Sequence, residues 1–336
     1  MILYYLIITF WNIVKISHFK ALVAVVKNNF SISVASDSLS LTQPAISKQI
    51  QQFEAELNLN LFIRHGKRLT GLTESGHEVY QYALSVMNKI DDVYQLSHHH
   101  SGHKGSLSVA TTHTQARYVL PRIISRFRSV YPEVKLAVQQ GSPKEVAKLA
   151  LEGEVDLAIA TEAVGEENGL ITLPCYQWNR YVVTPYQHPL TRKAKLSLAA
   201  LSEYPIITYG LGYTGRSRID EAFERAKLES NIVLTAVDSD VIKTYVRLGM
   251  GVGVIANMAY SLEEDRDLVA IDARDLFGTS YSHVAIRKDK YIRPFIFSFI
   301  EMLAPHLNEE LVVKVLGELD SVQRKKLLGS IDLPSY

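Results

Sequence analysis

Cysteine is almost missing from this chain of 336 residues: Cys175 is the only one, so no disulfide can form within it. That fits a reducing, cytoplasmic compartment. An excess of charge is missing too. The 36 Lys and Arg stand against 35 Asp and Glu, a formal +1, so any attraction to a polyanion must be local. No apolar run reaches the roughly 20 residues of a membrane-spanning helix. Met1 to Val14 comes nearest, being almost wholly apolar and uncharged. It is short for a span, and it lacks the preceding basic residues and following cleavage site of a signal peptide. No Ser/His/Asp or paired-carboxylate arrangement stands out either, and nothing implies a cofactor or a metal. What is there is globular, at 47% hydrophobic and 21% charged, and long enough for two or three domains.

The most strongly patterned stretch is Ile32 to Leu72. A short helix over 31–39 and a turn at Ser40-Leu41 lead into a second helix, for which Thr42 is the expected N-cap and Pro44 lies in the first turn, where no N–H is needed. Ile46, Ile50, Phe53 and Leu57 recur at helical steps and form one apolar stripe. Thr42, Gln43, Pro44, Ser47, Lys48 and Gln51 are then left at the exposed N-terminal part, which in a recognition helix meets base edges in the major groove. The segment 62–72 reads as a β-hairpin turning at His65-Gly66, with Arg64, Lys67 and Arg68 placed for phosphates. An ordinary small helical domain would show similar helices, but charge separates the two readings. From Lys15 to Leu72 seven basic residues face three acids, a net +4, which leaves the rest of the chain at −3. A basic head on a mildly acidic body is the polarity expected when only the head approaches double-stranded DNA.

Thr73 is expected to cap a long helix reaching about Leu96, in which Val79, Ala83, Val86, Ile90 and Val93 alternate at steps of four and three. That is a coiled-coil seam, suited to pairing two copies and presenting two recognition helices to two half-sites. The run Ser97-His-His-His-Ser-Gly-His-Lys-Gly105 lacks ligand spacing and partner carboxylates, and reads as a linker, not a metal site. Beyond Gly105, strands and helices alternate in two βαβ-type series, implying parallel sheets. The first occupies 105–173. The second begins near Pro174 and runs to 280, and a lone strand, Tyr281 to Arg287, follows it.

The segment Ala35-Ser-Asp-Ser-Leu-Ser-Leu-Thr-Gln-Pro-Ala-Ile-Ser-Lys-Gln-Ile50, with Leu61-Phe62 and Arg64 after it, resembles the head of the LysR-type transcriptional regulators. Ala110-Thr-Thr-His-Thr-Gln-Ala-Arg-Tyr118 and Asp238-Ser-Asp-Val-Ile-Lys-Thr-Tyr-Val-Arg-Leu-Gly249 resemble the sulfur-assimilation members of that family. The resemblance covers all but about the first 13 residues. It implies an α/β chain with a winged helix-turn-helix over 15–72, a linker helix over 73–100, and a two-lobed, periplasmic-binding-protein-like effector domain. Lobe I would comprise 105–173 and 281–305, lobe II 174–280, and 306–336 a helical tail. Because the family pattern starts at Val14, residues 1–14 are expected to be an extension arising from an upstream start. The competing reading is an interfacial anchor. The resemblance further implies an activator that binds promoter DNA with partly inverted-repeat half-sites, works with RNA polymerase as a homotetramer of two dimers, and has no membrane partner.

Open α/β sheets bind ligands beyond the carboxyl ends of their strands, which places the site in the cleft between the lobes. Thr111 to Gln115 follows the first strand and opens a helix, where N–H and hydroxyl donors converge on a small anion, and Tyr209 to Gly215 holds the equivalent place in the second lobe. From the family, Thr112, Thr114, Gln115, Thr161 and Thr214 would be the ligand contacts, with Trp178 nearby. The ligand would be N-acetylserine as inducer with sulfate or thiosulfate as competing anions, or adenylyl sulfate. For Thr112 and Thr214, helix capping is an alternative role. Gly210-Leu-Gly-Tyr-Thr-Gly215 also matches the dinucleotide fingerprint, so an NAD-dependent dehydrogenase is the enzyme-class alternative. Against it, Arg216 and Arg218 follow at once and no acid ends the next strand; Asp238 is the nearest. A solute-binding transport protein would share the cleft but would not need the basic head.

Overall fold

The computed structural model describes residues 14–66, 68–98, 104–161, 169–329 and 331–336; the side chains of Gln95, Ser97, His98 and Thr214 lie outside that description. So do Lys67, most of the expected extension, and the histidines at 99, 100 and 103. The chain forms two compact units, residues 1–100 and 101–336.

In the first unit, α1 (Ile16–Lys27), α2 (Ile32–Ser38) and α3 (Gln43–Leu57) precede a hairpin of β1 (Phe62–His65) and β2 (Arg68–Leu72), and α4 (Glu74–His98) follows. Ser31 starts α2 by accepting the Val34 N–H at 3.4 Å. Ser40, at φ 53°, turns the chain between α2 and α3. Ile46, Ile50 and Phe53 bury the expected stripe against Leu22 and Val25 of α1 and against Leu61, Phe62 and Leu69 of the hairpin. Asn58, left-handed at φ 52°, ends α3. The carboxylate of Glu54 accepts the N–H groups of Leu61 and Phe62 at 2.9 and 3.2 Å, so the wing is tied to the recognition helix. Thr73 does cap α4, accepting the Gly76 N–H at 2.9 Å. Gly76 is required there, because a Cβ would lie 2.0 Å from the Leu61 carbonyl oxygen.

The long helix departs from the expected continuous seam. Val79, Tyr80, Ala83 and Leu84 pack into the head's own core, whereas Val93, Tyr94 and Leu96 are exposed. A step of four and three looks the same whether the stripe meets its own domain or a partner, so periodicity cannot separate the two halves.

The second unit has two five-stranded sheets. Lobe I takes the order β4-β3-β5-β12-β6, from β3 (Gly105–Thr111), β4 (Val134–Gln140), β5 (Leu157–Thr161), β6 (Leu170–Trp178) and β12 (Ser280–Arg287). Lobe II takes β11-β7-β10-β8-β9, from β7 (Arg180–Pro185), β8 (Ile206–Tyr209), β9 (Ile232–Ala236), β10 (Val252–Ala256) and β11 (Leu268–Asp272). The sheets are mixed and not parallel throughout. Within each, four strands run in one direction and one runs against them: β12 is antiparallel to both β5 and β6, and β7 is antiparallel to both β10 and β11. The sequence pattern did not mark β6 and β11, which are edge strands that pair antiparallel and so lie outside the parallel βαβ series. β12 is the expected return into lobe I. The first crossing, however, lies at Asn179 and not near Pro174, because β6 pairs with β12 as far as Trp178↔Ser280.

The helices covering lobe I include α5 (Leu120–Val130), α6 (Pro143–Leu151), α11 (Pro294–Leu303) and α12 (Glu309–Gly317), and those of lobe II α7 (Leu198–Ser202), α8 (Thr214–Arg225), α9 (Ser239–Arg247) and α10 (Arg274–Phe277); α13 (Ser321–Gly329) follows α12. The helix that follows β3 begins with a π turn over Gln115–Val119. The tail over 306–336 carries the two helices α12 and α13, and Leu307, Val312 and Val315 are fully buried in the lobe I core beside Phe127, Phe295 and Phe299.

Candidate functional site

The polar face of α3 stands where its pattern puts it. Thr42, Gln43, Pro44, Lys48 and Gln51 are exposed and Ser47 is half-buried. Ser47, Gln51 and Arg64 line a hollow of about 350 Å³ between α3 and the wing. Gln43 is partly committed, its amide donating to Ser33 Oγ at 3.2 Å, which braces α3 against α2. Arg64 is held at 2.6 Å by Glu54, the residue that also anchors the wing, so part of its charge is spent within the head. Arg68, on β2 opposite His65, is an exposed cation beside this face. Thr42 makes no side-chain cap bond, leaving its hydroxyl free for another partner.

In the second unit, the strand ends converge as a cleft requires. Thr112, His113, Thr114 and Gln115 follow β3, Thr161 ends β5 and Trp178 ends β6; facing them are Tyr209, Tyr213, Gly215, Val237, Ala256 and Met258 of lobe II. The enclosed space is about 40 Å³, room for roughly three waters. Five of the six residues expected at the ligand therefore meet in one cavity. The sixth, Thr214, begins α8 next to the cavity-lining Gly215, with its side chain outside the described residues.

Their chemistry differs from residue to residue. Gln115 is 2% exposed and its amide is committed: Nε2 donates to Ser282 at 3.1 Å and Oε1 accepts from the Tyr176 hydroxyl. Both ends of the amide are thus engaged by lobe I strands. Among the described residues, Thr161 Oγ1 and Trp178 Nε1 are buried without a hydrogen-bond partner, on side chains only 4% exposed. An unsatisfied buried donor costs about 1–3 kcal/mol, so both are strong candidates for a ligand's acceptors. Thr114 makes no side-chain cap bond at the start of the π turn, and the cap position of α8 is Tyr213 and not Thr214.

Residues that the sequence pattern did not single out complete the site. The Tyr118 hydroxyl donates to Asp240 at 2.6 Å and Arg117 lies 3.6 Å from the same carboxylate, so lobe I grips the start of α9 in lobe II. Burial raises the Tyr118 phenol, and the bond to Asp240 raises it further, keeping it a donor at any ordinary pH. For Asp240, burial acts upward, but the Tyr118 bond and the Lys243 and Arg117 charges outweigh it and hold the carboxyl below its usual range. The Tyr209 hydroxyl meets Ser239 at 2.6 Å and accepts the Ala256 N–H at 3.1 Å. His113, Asp238 and Asp240 bring possible metal-ligand atoms within 4.8 Å of one another. Asp238 is already the cap of α9, and Asp240 already faces Arg117 and Lys243, so a cation would compete with fixed positive charges.

The glycine-rich loop has a local explanation that dispenses with a dinucleotide. Gly212 takes φ +83°, and a Cβ on Gly215 would stand 2.4 Å from the Tyr209 ring. The strand after it ends at Ala236, and Asp238 serves α9, so the ribose-binding acid of that fingerprint has no counterpart.

Comparison with known proteins agrees with this geometry. The family described as "Bacterial regulatory helix-turn-helix protein, lysR family" matches residues 16–77, and "LysR substrate binding domain" matches 100–308. The chain is similar to the HTH-type transcriptional regulator SsuR of Burkholderia cenocepacia, with 46% identity over 87% of this chain and 96% of that one. It is similar to CysB of Haemophilus influenzae at 41% identity over 95% and 99%, and to cbl of Escherichia coli at 38% over 84% and 90%. Among solved structures, the cofactor-binding domain of the Cbl transcriptional regulator matches at TM-score 0.61 and 41% identity, over 64% of this chain and 95% of that one. Full-length OxyR from Pseudomonas aeruginosa matches at TM-score 0.68 and 20% identity, which speaks to the fold alone. These relatives are regulators, not enzymes, and the dehydrogenase alternative is set aside.

Proposed function

Because the chain belongs to the LysR family of bacterial helix-turn-helix regulators, we propose that it activates sulfur-acquisition genes in response to a small oxyanion-bearing metabolite held between its effector lobes. Its similarity to CysB, Cbl and SsuR supports the sulfur assignment. The observation that carries the ligand class is the pair of unpartnered buried donors, Thr161 Oγ1 and Trp178 Nε1, in a cavity of about 40 Å³. A sulfate-like anion offers acceptors and no apolar surface, so donors must supply its binding. N-acetylserine is the proposed inducer, with sulfate or thiosulfate competing for the same donors. The working assembly is a tetramer of two dimers that meets RNA polymerase at promoters. Ligand controls it only by binding one lobe arrangement better than the other.

Calorimetry with sulfate, thiosulfate, N-acetylserine and adenylyl sulfate, beside a promoter reporter, tests this. Thr161→Val removes one donor at nearly constant volume. It should weaken anion binding by about 1–2 kcal/mol while leaving the melting temperature unchanged or slightly higher. Undiminished binding by that variant would move the ligand elsewhere. Tightest binding of adenylyl sulfate would instead assign the protein a Cbl-like role, and would require lobes more open than these.

A further inference from the structure

Beside the cavity, at the start of the strand that carries the chain from one lobe to the other, lies a charged residue that is not among those lining it. Arg180 is 0% exposed. Its Nη2 donates to Ser280 Oγ at 3.0 Å, joining the two crossing strands. Its guanidinium carbon stands 4.9 Å from the centroid of the Trp178 ring, and Trp178 lines the cavity. Burial raises the phenol of Tyr209, a second cavity residue, and the Arg180 charge acts on it in the opposite direction.

We propose that Arg180, acting through the Trp178 ring, sets the preference of the cleft for doubly over singly charged anions. This rests on the cleft's being the anion site. Two physical effects work in the same direction. A cation over an indole face draws on its π density and leaves the N–H edge more positive, and that edge is the unpartnered Nε1. A guanidinium sealed from water is also screened little, so its attraction for a ligand one ring away grows with the ligand's charge. Thr112, Thr114, Thr161 and the indole are neutral and cannot supply this discrimination themselves, which leaves His113 as the one described lining side chain that can carry a positive charge. Arg180 is thus a positioning and selectivity residue, not a ligand contact.

The test compares sulfate, a dianion, with N-acetylserine, a monoanion, by calorimetry on the full chain. Arg180→Gln removes the charge but keeps a donor for Ser280. It should cost sulfate about tenfold more affinity than it costs N-acetylserine, as expected for one further unit of ligand charge at an effective dielectric near ~20. Arg180→Lys should restore most of the ratio. Ser280→Ala, which cuts the bond between the crossing strands and leaves the charge, should keep the ratio as it is. Equal losses for both ligands in Arg180→Gln, or a ratio lost in Ser280→Ala, would overturn the role of Arg180 and leave the cleft reading standing. If the unaltered protein binds neither anion, the cleft reading fails first. Should Arg180→Gln fold poorly, Arg180→Met, which also removes the charge but fills the site with an apolar chain, decides in its place: it should lower the sulfate to N-acetylserine ratio by the same factor, and an unchanged ratio would overturn the role of Arg180.

Discussion

Asp156 shows how much one buried charge can hold together in lobe I. It accepts the amide and hydroxyl of Ser108 at 2.7 and 2.9 Å and faces Lys290 at 2.8 Å and Arg293 at 2.7 Å. These contacts join the start of β5 to β3 and to the segment leading into α11. Burial pushes its carboxyl up, but the two cations and the Ser108 amide prevail and hold it below the usual carboxylate range. A carboxyl lowered by folding adds stability that is complete above its unfolded pKa and is lost as pH falls through the folded value. The effector unit should therefore hold this contribution across neutral pH and lose it only below about pH 4. Asp156→Asn removes the anion and should cost about 3–5 kcal/mol at pH 7, read by denaturant unfolding of residues 101–336 through Trp178 fluorescence. A loss that persisted unchanged at pH 3 would contradict the linkage. Cys175 points the other way. Fully buried, with burial pushing its thiol up to about 12, it has neither the exposure nor the thiolate of a redox sensor.

Single elements show what a sequence can and cannot disclose. α3 was legible to the residue, since its stripe, its proline and its polar face all follow from a 3.6-residue period. For this helix, Gln43→Ala and Ser47→Ala should reduce discrimination between operator and random duplex by about 1–3 kcal/mol per base contact. Arg68→Ala should weaken both kinds of binding and flatten the salt dependence. Equal weakening on every sequence by Gln43→Ala would remove it from base reading. The wing shows the limit: the bond between Glu54 and Arg64 was invisible, because side chains ten residues apart meet only once the hairpin has folded back. α4 was half legible. Its apolar period was correct, but Val79 and Ala83 serve the head, so the surface left for a partner begins further along, at Val93, Tyr94 and Leu96. Ala83→Asp should accordingly unfold the head, whereas Val93→Asp should leave its melting intact and raise the dimer dissociation constant at least about tenfold. Sedimentation showing Val93→Asp still fully dimeric at low micromolar concentration would put the pairing surface elsewhere. In the effector unit, β6 and β11 escaped the sequence pattern while the cleft residues did not. The ends of β3 and β8 carry hydroxyl- and glycine-rich turns, whereas β6 and β11 are antiparallel edge strands outside the βαβ series that marked the others.

At the scale of the whole effector unit, ligand response depends on what holds the lobes together besides the ligand. The bond from the Tyr118 hydroxyl to Asp240 joins lobe I to lobe II directly, and Arg117 reinforces it at 3.6 Å from Asp240 and 3.9 Å from Glu264. Lys243, 2% exposed, lies 5.5 Å from the centroid of the Tyr118 ring and 3.0 Å from buried Asp265, so the Asp240 end of the contact is itself anchored in lobe II. On lobe I, the Tyr336 hydroxyl donates to the Tyr118 carbonyl at 2.9 Å, while the Asn257 amide of lobe II donates to the Tyr336 carbonyl at 2.6 Å. A hydrogen bond to a charged group is worth about 1.5–3 kcal/mol, the same order as typical coupling between sites. Tyr118→Phe removes that bond without entering the cavity, so the donors that face the anion are untouched. The ligand would then have to supply the closure that the bond had favoured. Apparent affinity for sulfate should fall by about tenfold, by the fraction of molecules no longer closed, and induction should fall further because the bound state itself is less closed. Small-angle scattering should show a more open effector unit without ligand and recovery toward the closed form at saturation. If Tyr118→Phe leaves affinity, induction and scattering as they were, closure is governed by the ligand contacts alone, and the grip of Tyr118 on Asp240 is only a feature of packing.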